Sequence, residues 1–506
     1  MNLHLHPLLL LATLAAPAAL YADVVPSALF QDHAVLQRDK PVPVWGTADA
    51  GEKVTVNFAG QTKSATATAD GRWSVTLDPL PATATPATLT ITGNNTITLS
   101  DIVVGEVWLA SGQSNMEWRL SNSHDDDMEQ RTARFPLIRE MKVNKVSVDA
   151  PSPTFSGEWL RATPDTVSSF SSVAYHFAKD IHLALDVPVG IINSSWGGTP
   201  VEAWMSPAAL ASDPAFAVTG ERWAKTVAEY PKKKAQYDTA LAAWEAEKAA
   251  AAKSGASFAQ PAPRAPQGGP GSAHAPGGLH NGMIHPLLPA ALRGAIWYQG
   301  EGNAGRHAEY HALFSAMIQG WRNDFAQGDF PFYWVQLAAF PAGEANGAEW
   351  AFLREAQTRT LALPATGQAV IIESAIGDSN DIHPRDKAPV GRRLARLALA
   401  RTYGDTTLAD SGPVFSALSP AAKGALRVTF SGKVRHATPK LTGFEIAGED
   451  RTFHRATARI VAGAVIVSSP AVTDPVAVRY AWRNYPDAWL QDDLGLPVPP
   501  FRTDTW

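Results

Sequence analysis

Apolar and polar positions along the chain change rhythm twice. From Asp23 to about Ser100 they alternate: polar residues separate Val54, Val56 and Phe58, and Trp73, Val75 and Leu77 repeat the pattern after the turn signal Asp70-Gly71. A period of two marks strands with one buried face, and short strands broken by Gly and Pro predict a small β-sandwich over 23–100. From about Asp101 to Asp405 the apolar runs become short and continuous: "DIVVGEVWLA", "VPVGIIN", "RGAIWY", "FPFYWVQLA" and "GQAVIIE". Such runs predict strands buried on both faces. Helical spacing follows some of them. Leu313, Phe314, Met317, Ile318 and Trp321 share one helix face, as do Val390, Leu394 and Leu397, with Arg392, Arg393 and Arg396 largely off that stripe. This order predicts an α/β region with a parallel sheet and helices on both faces, where ligands bind at the carboxyl ends of the strands. After Asp405 alternation returns in "ALRVTFSG", "ARIVAGAVIVSS" and "PVAVRYAW", which predicts a second β-rich region over 406–506.

Two stretches break the scheme. "PLLLLATLAAPAALYA", ending in small residues before Asp23, is too short to span a bilayer and reads as a cleaved signal peptide over 1–22. Export to the periplasm or the medium is the expectation. Within the α/β region, residues 230–278 open with a charged, alanine-rich helical segment and pass into "AQPAPRAPQGGPGSAHAPGG". The composition predicts a mobile, solvated Pro/Gly insertion without chemistry.

Composition narrows the functional classes. The chain has 506 residues, enough for two or three domains, and a net charge of -5, which argues against a nucleic-acid partner. With no cysteine, disulfides, thiolate nucleophiles and thiolate metal sites are excluded. No later segment is apolar enough to cross a membrane. No metal-ligand spacing and no phosphate-binding glycine loop is present, so no metal and no cofactor is expected; Asp125, Asp126 and Asp127 read as a solvated acidic face. The 16 tryptophans are mostly core material, with some available as flat apolar platforms for ligands.

The candidate chemistry lies after strand ends. In "VWLASGQSNMEW" an apolar run stops at a serine, Ser114, placed for the carboxyl edge of the sheet and a turn into a helix, whose N-terminus and backbone N–H groups favour an anion. A plain helix cap is the simpler role for such a serine. Gly-x-Ser-x-Met does not match the Gly-x-Ser-x-Gly elbow of α/β-hydrolases. "IINSSWGGTPVEAW" ends a second strand in Gly197 and Gly198, and "AIWYQGEGNAG" ends a third in Gln299, Glu301 and Asn303. "IIESAIGDSNDIHPRDK" offers Asp378, Asp381 and His383. A serine, amide donors and an Asp/His pair are the parts of an acyl-transfer site.

"GQSNM", "WGGTPVEAW", "WYQGEGNA" and "DIHPRDK" followed by "VGRRLARLAL" resemble the sialate O-acetylesterase family, SGNH-type hydrolases that remove acetyl esters from sugars. The resemblance extends to "FQDHAVLQRDKPVPVWGTADAGEKV" and to "GLPVPPFRTDTW" at the end, and is loosest in the Pro/Gly insertion. It implies an SGNH-type catalytic region over 101–405, Ser114 as nucleophile, His383 as base and Asp381 as the acid that orients it. The oxyanion would be held by the N–H of Ser114, that of Gly198 (or Gly197) and an amide side chain, Gln299 or else Asn303. Many SGNH enzymes place the acid three residues before the histidine; that position is Asn380 here, so Asp381, Asp378 or a Ser-His dyad are the alternatives. Trp196, Trp204, Glu117 and Glu301 are candidates for a sugar pocket. The partner implied is an acetylated carbohydrate, either O-acetylated sialic acid or a plant polysaccharide such as xylan or xyloglucan. The rival is a non-catalytic glycan-binding protein that uses the β-rich regions and tryptophans.

Overall fold

The computed structural model describes residues 23–124, 126–343, 347–373, 376–422, 424–437, 440–486 and 489–506. The expected signal peptide and Asp125 of the acidic run lie outside the described residues.

Seven strands build the part of the fold that carries the candidate chemistry: β1 (Thr96–Gly112), β2 (Phe135–Val143), β3 (Gly157–Ala162), β4 (Val189–Ser195), β5 (Gly294–Tyr298), β6 (Phe332–Val335) and β7 (Thr366–Ala369). Their order is β3-β2-β4-β1-β5-β6-β7. All neighbours are parallel except β3, which runs antiparallel to β2. The five apolar runs fall on β1, β4, β5, β6 and, for its first residues, β7. Sequence patterning missed β2 and β3, because β2 carries Arg139 and Glu140 within its apolar frame. Both are buried and paired: Arg139 Nη2 with Asp101 Oδ1 at 2.9 Å, and Glu140 Oε1 with Asn193 Nδ2 at 3.1 Å.

Side-chain alternation along these strands divides the core into two. Val107, Leu109, Ala295, Trp297, Phe332 and Trp334 face one hydrophobic cluster, whereas Trp108, Ala110, Ile296, Tyr298, Tyr333 and Val335 face the other. Helices α1 (Ser114–Glu117), α2 (Ser172–Leu185), α3 (Ala217–Ser254), α4 (His307–Phe325), α5 (Glu349–Arg359) and α6 (Ala388–Leu397) follow in chain order. The apolar stripes of α4 and α5 fill the first cluster and those of α2 and α6 the second, so helices cover both sheet faces.

The antiparallel strands of the first hundred residues form two groups. Val25–Pro26, Val42–Thr47 and Arg72–Leu77 make one sheet, while Lys53–Phe58, Gln61–Thr66 and Thr83–Thr92 are joined to β1. β1 thus continues from these strands into the centre of the parallel sheet. Beyond residue 412, two four-stranded antiparallel sheets enclose a third core, into which Val370 and Ile372 also pack.

The insertion departs from its expected character. The helix starts at Ala217 rather than near 230 and runs 38 residues despite Pro231 within it. The Pro/Gly segment then returns along α3 as a packed strap. The Trp244 indole donates to Gln260 O at 2.9 Å, and Gly268 and Gly269 press on Thr226 and Tyr230. Glycine lets the strap approach here, since a Cβ on Gly269 would lie 2.5 Å from the Tyr230 ring.

Candidate active site

Three strand ends meet at one point. Ser195 of β4 and Tyr298 of β5 both pair with Gly112, the last residue of β1. Gly112 has φ +133°, and a Cβ there would lie 2.2 Å from Tyr298 O. The chain leaves the sheet at this residue because only glycine tolerates both constraints. The turn that follows is α1, headed by Ser114. It is a single turn of four residues, too short for the expected helix dipole to build up. What it offers is a backbone N–H: the turn's own bonds run from Met116 and Glu117 to Gln113 O, which leaves the Ser114 N–H outside them. Gln113 is buried, and its Oε1 accepts from the N–H groups of Gly300 and Gly302, which fastens α1 to the end of β5.

The turn after β4 lies directly against the serine. A Cβ on Gly197 would be 3.2 Å from Ser114 Cβ and 3.4 Å from Glu117 Oε2. The Gly197 N–H already donates to Glu117 Oε2 at 2.8 Å. Of the two glycines, Gly198 is therefore the one with a backbone N–H to offer; it adopts φ +77° with open space on its Cβ side. Glu117 also pairs with Lys145 at 2.6 Å, and the Lys145 ammonium lies 5.6 Å from the centroid of the half-buried Trp196 ring. Trp196, Glu117 and Lys145 thus form one contiguous group that reaches Ser114 through Gly197. The strap adds His274, which hydrogen-bonds the Gly198 backbone; burial lowers its pKa.

The loop before α6 carries His383. His383 Nδ1 is 2.9 Å from Asp381 Oδ1, which also accepts the His383 backbone N–H at 2.9 Å. Burial opposes charge on Asp381, but these two hydrogen bonds and the imidazole hold its carboxyl below the usual range. Asp378 instead accepts the Asn380 N–H at 2.7 Å, an aspartate turn closed on itself. The imidazole stacks on Trp118 with centroids 4.9 Å apart and planes 19° from parallel. Asn115, the residue after the serine, donates through Nδ2 to Ile382 O at 3.2 Å and so ties the His383 loop to α1.

Four sequence-derived candidates have other partners. Gln299 is fully buried: its Nε2 donates to Thr199 O at 3.0 Å and to Asn303 Oδ1 at 2.8 Å, which engages both amide protons and leaves none for an oxyanion. Asn303 accepts the Val201 N–H and donates to Glu202 Oε2 at 2.9 Å. Both amides brace the Thr199–Glu202 turn. Trp204 is fully buried against Trp297, with its indole on Thr199 Oγ1, and belongs to the core rather than to a sugar pocket. Glu301 faces inward as well: Oε1 accepts from Asn115 Nδ2 at 2.7 Å, and Oε2 is buried without a partner. Asn115, Trp118, Lys145, His274 and Lys387 were not singled out from the sequence, although Asn115 and Lys387 lie inside the motifs "GQSNM" and "DIHPRDK".

Residues 104–249 and 279–400 match the family described as carbohydrate esterase, sialic acid-specific acetylesterase. The chain belongs to this family. The esterase is accordingly a carboxylic ester hydrolase. It is 29% identical to the sialate O-acetylesterase of Rattus norvegicus over 93% of this chain and 92% of that one. It is likewise 29% identical to that of Homo sapiens, over 92% and 90%. Among solved structures, a carbohydrate acetylesterase from Xanthomonas citri superposes with a TM-score of 0.80 at 38% identity, covering 96% of the esterase and 100% of that chain. Among the described residues, no group of three or more His, Cys, Asp or Glu is placed to hold a metal, and no helix is long and apolar enough to cross a membrane.

Proposed function

We propose that the esterase removes acetyl groups from sugar hydroxyls through an acetyl-enzyme on Ser114, within an SGNH-type catalytic region. The observation that carries this reading is the Asp381–His383 pair on a loop fastened by Asn115 to the turn that Ser114 heads. Ser114 Oγ attacks the acetyl carbonyl while His383 Nε2 takes its proton, and Asp381, on Nδ1, stabilises the imidazolium. The negative charge on the carbonyl oxygen is met by the N–H groups of Ser114 and Gly198. Collapse expels the sugar alkoxide, which takes the proton from His383. Water activated by the same imidazole then releases acetate and restores Ser114.

Trp196, with Lys145 and Glu117 beside it, is the surface on which the sugar ring rests. The sialate O-acetylesterase and carbohydrate acetylesterase relatives support an acetylated carbohydrate as substrate, with O-acetylated sialic acid and acetylated plant polysaccharide as the two classes. The apolar residues 1–22 support export to the periplasm or medium. The deciding experiment is acetate release by the purified protein from acetylated sialic acid, xylan and xyloglucan, alongside Ser114→Ala. The variant should fold normally and lose roughly 10⁴- to 10⁶-fold in kcat, as removal of a triad member does elsewhere. Near-normal acetate release by Ser114→Ala would end the serine mechanism.

A further inference from the structure

Beneath the serine and the histidine runs a buried polar chain whose members come from three separate motifs. Asn115 is 1% exposed and uses both ends of its amide. Its Nδ2 donates to Glu301 Oε1 at 2.7 Å and to Ile382 O at 3.2 Å, while its Oδ1 accepts from Lys387 Nζ at 2.5 Å. Lys387 is also 1% exposed, and its ammonium lies 5.3 Å from the Tyr298 ring centroid and 5.7 Å from that of Trp118, the ring on which His383 stacks. A lysine is almost never buried this deeply unless something holds it. A buried charged group with incomplete partners is costly, and Glu301 Oε2 has none. A core of these helices and strands would be filled more cheaply by leucine, so the chain calls for a reason.

The geometry points to Lys387 and Glu301 as positioning residues for ester hydrolysis, gripping opposite ends of the Asn115 amide so that Ser114 and the His383 loop stay in register. Asn115 is covalently next to Ser114, and Ile382 is covalently next to His383. An amide that rotated about its side-chain bonds would release the loop, and two oppositely natured partners prevent that rotation: a donor at the oxygen and an acceptor at the nitrogen. This inference rests on Ser114 and His383 being the reacting pair.

The charged and titratable groups around Lys387 are Glu301, Asp381 and Asp386; those around Glu301 are Lys387, His383, Tyr298 and Tyr310. Burial pushes Lys387 down to about 7, against the attraction of these carboxylates, and burial raises Glu301.

The test is kcat and KM on a small acetyl ester for Lys387→Met, Glu301→Leu and Glu301→Gln, with thermal melts of each. Lys387→Met should lower kcat at least about tenfold with KM nearly unchanged, because Asn115 then loses its partner at Oδ1 and the His383 loop its register. Glu301→Leu should lose kcat similarly, and Glu301→Gln should recover most of that loss, because its carbonyl still accepts from Asn115. A Lys387→Met enzyme with unchanged kcat overturns the proposal. If Lys387→Met does not fold, the Glu301 pair decides: a glutamine variant as impaired as the leucine variant overturns the grip on Asn115. Ser114→Ala, run in parallel, separates this outcome from a failure of the serine mechanism itself.

Discussion

Replacing Asp381 by asparagine probes the acid of the proposed triad with little change of shape. Two hydrogen bonds converge on its Oδ1 at 2.9 Å, one from the His383 backbone and one from the ring. A charge-assisted hydrogen bond contributes about 1.5–3 kcal/mol and a neutral one about 1. The Asp381 side chain is 43% exposed, so water screens the pair and the lower part of that range applies. The lost charge alone then costs about 1–2 kcal/mol, or roughly 5- to 30-fold in kcat. A second effect adds to it. An asparagine that turns its NH₂ toward Nδ1 places the ring proton on Nε2, the atom that must receive the proton of Ser114. In enclosed triads the whole substitution costs roughly 10⁴. For this more open pair the expected loss is about 30- to 10³-fold in kcat, with KM on a small acetyl ester nearly unchanged. Asp378→Asn should stay within about twofold of the wild type, since Asp378 serves its own turn. Steady-state kinetics of both variants on 4-nitrophenyl acetate measure this. A crippled Asp378→Asn would refute the assignment, and two fully active variants would mean a Ser-His dyad.

The two tryptophans next to the glycine turn should separate cleanly. Trp196→Ala should raise KM for an acetylated sugar roughly 3- to 10-fold and leave the melt almost unchanged, whereas Trp204→Ala should lose about 3–5 kcal/mol of stability on chemical denaturation; equal KM effects from both would contradict the placement. Glu140, buried against Asn193 and Ser171, has its pKa raised by burial to about 7. Its stabilising proton is held fully below the unfolded value near 4.5 and lost as pH rises through 7, so melting temperature should fall between pH 5 and 8, and Glu140→Gln should flatten that slope. An unchanged slope in the variant would dismiss Glu140 as its source. Intact mass of protein recovered from the periplasm or medium should correspond to a chain beginning at or near Asp23, and an unprocessed cytoplasmic chain would rule out export.

The amino-acid sequence by itself determined the central strands, the two-faced sheet and the stripes of α4 and α6, because burial on both faces and helical packing leave periods that any window of ten residues records. It favoured Asp381 over Asp378 as the partner of His383, since residues two apart on a turn can meet without help from the rest of the chain, but it did not decide between them. β2 escaped notice because its buried Arg139 and Glu140 imitate a surface pattern until Asp101 and Asn193 are brought to them. The partners that commit a side chain were decided only by the tertiary structure. Gln299 looked like a free donor at a strand end, yet its amide closes on Thr199, 100 residues away, and Lys387 reaches Asn115 across 272 residues. Trp196 and Trp204 stand eight residues apart in similar surroundings, and packing leaves one half-buried under Lys145 and sets the other against Trp297. A hydrogen-bonding group's type is written in the sequence, but whether it is still available depends on every group within about 3 Å of it, and those neighbours exist only once the chain has folded.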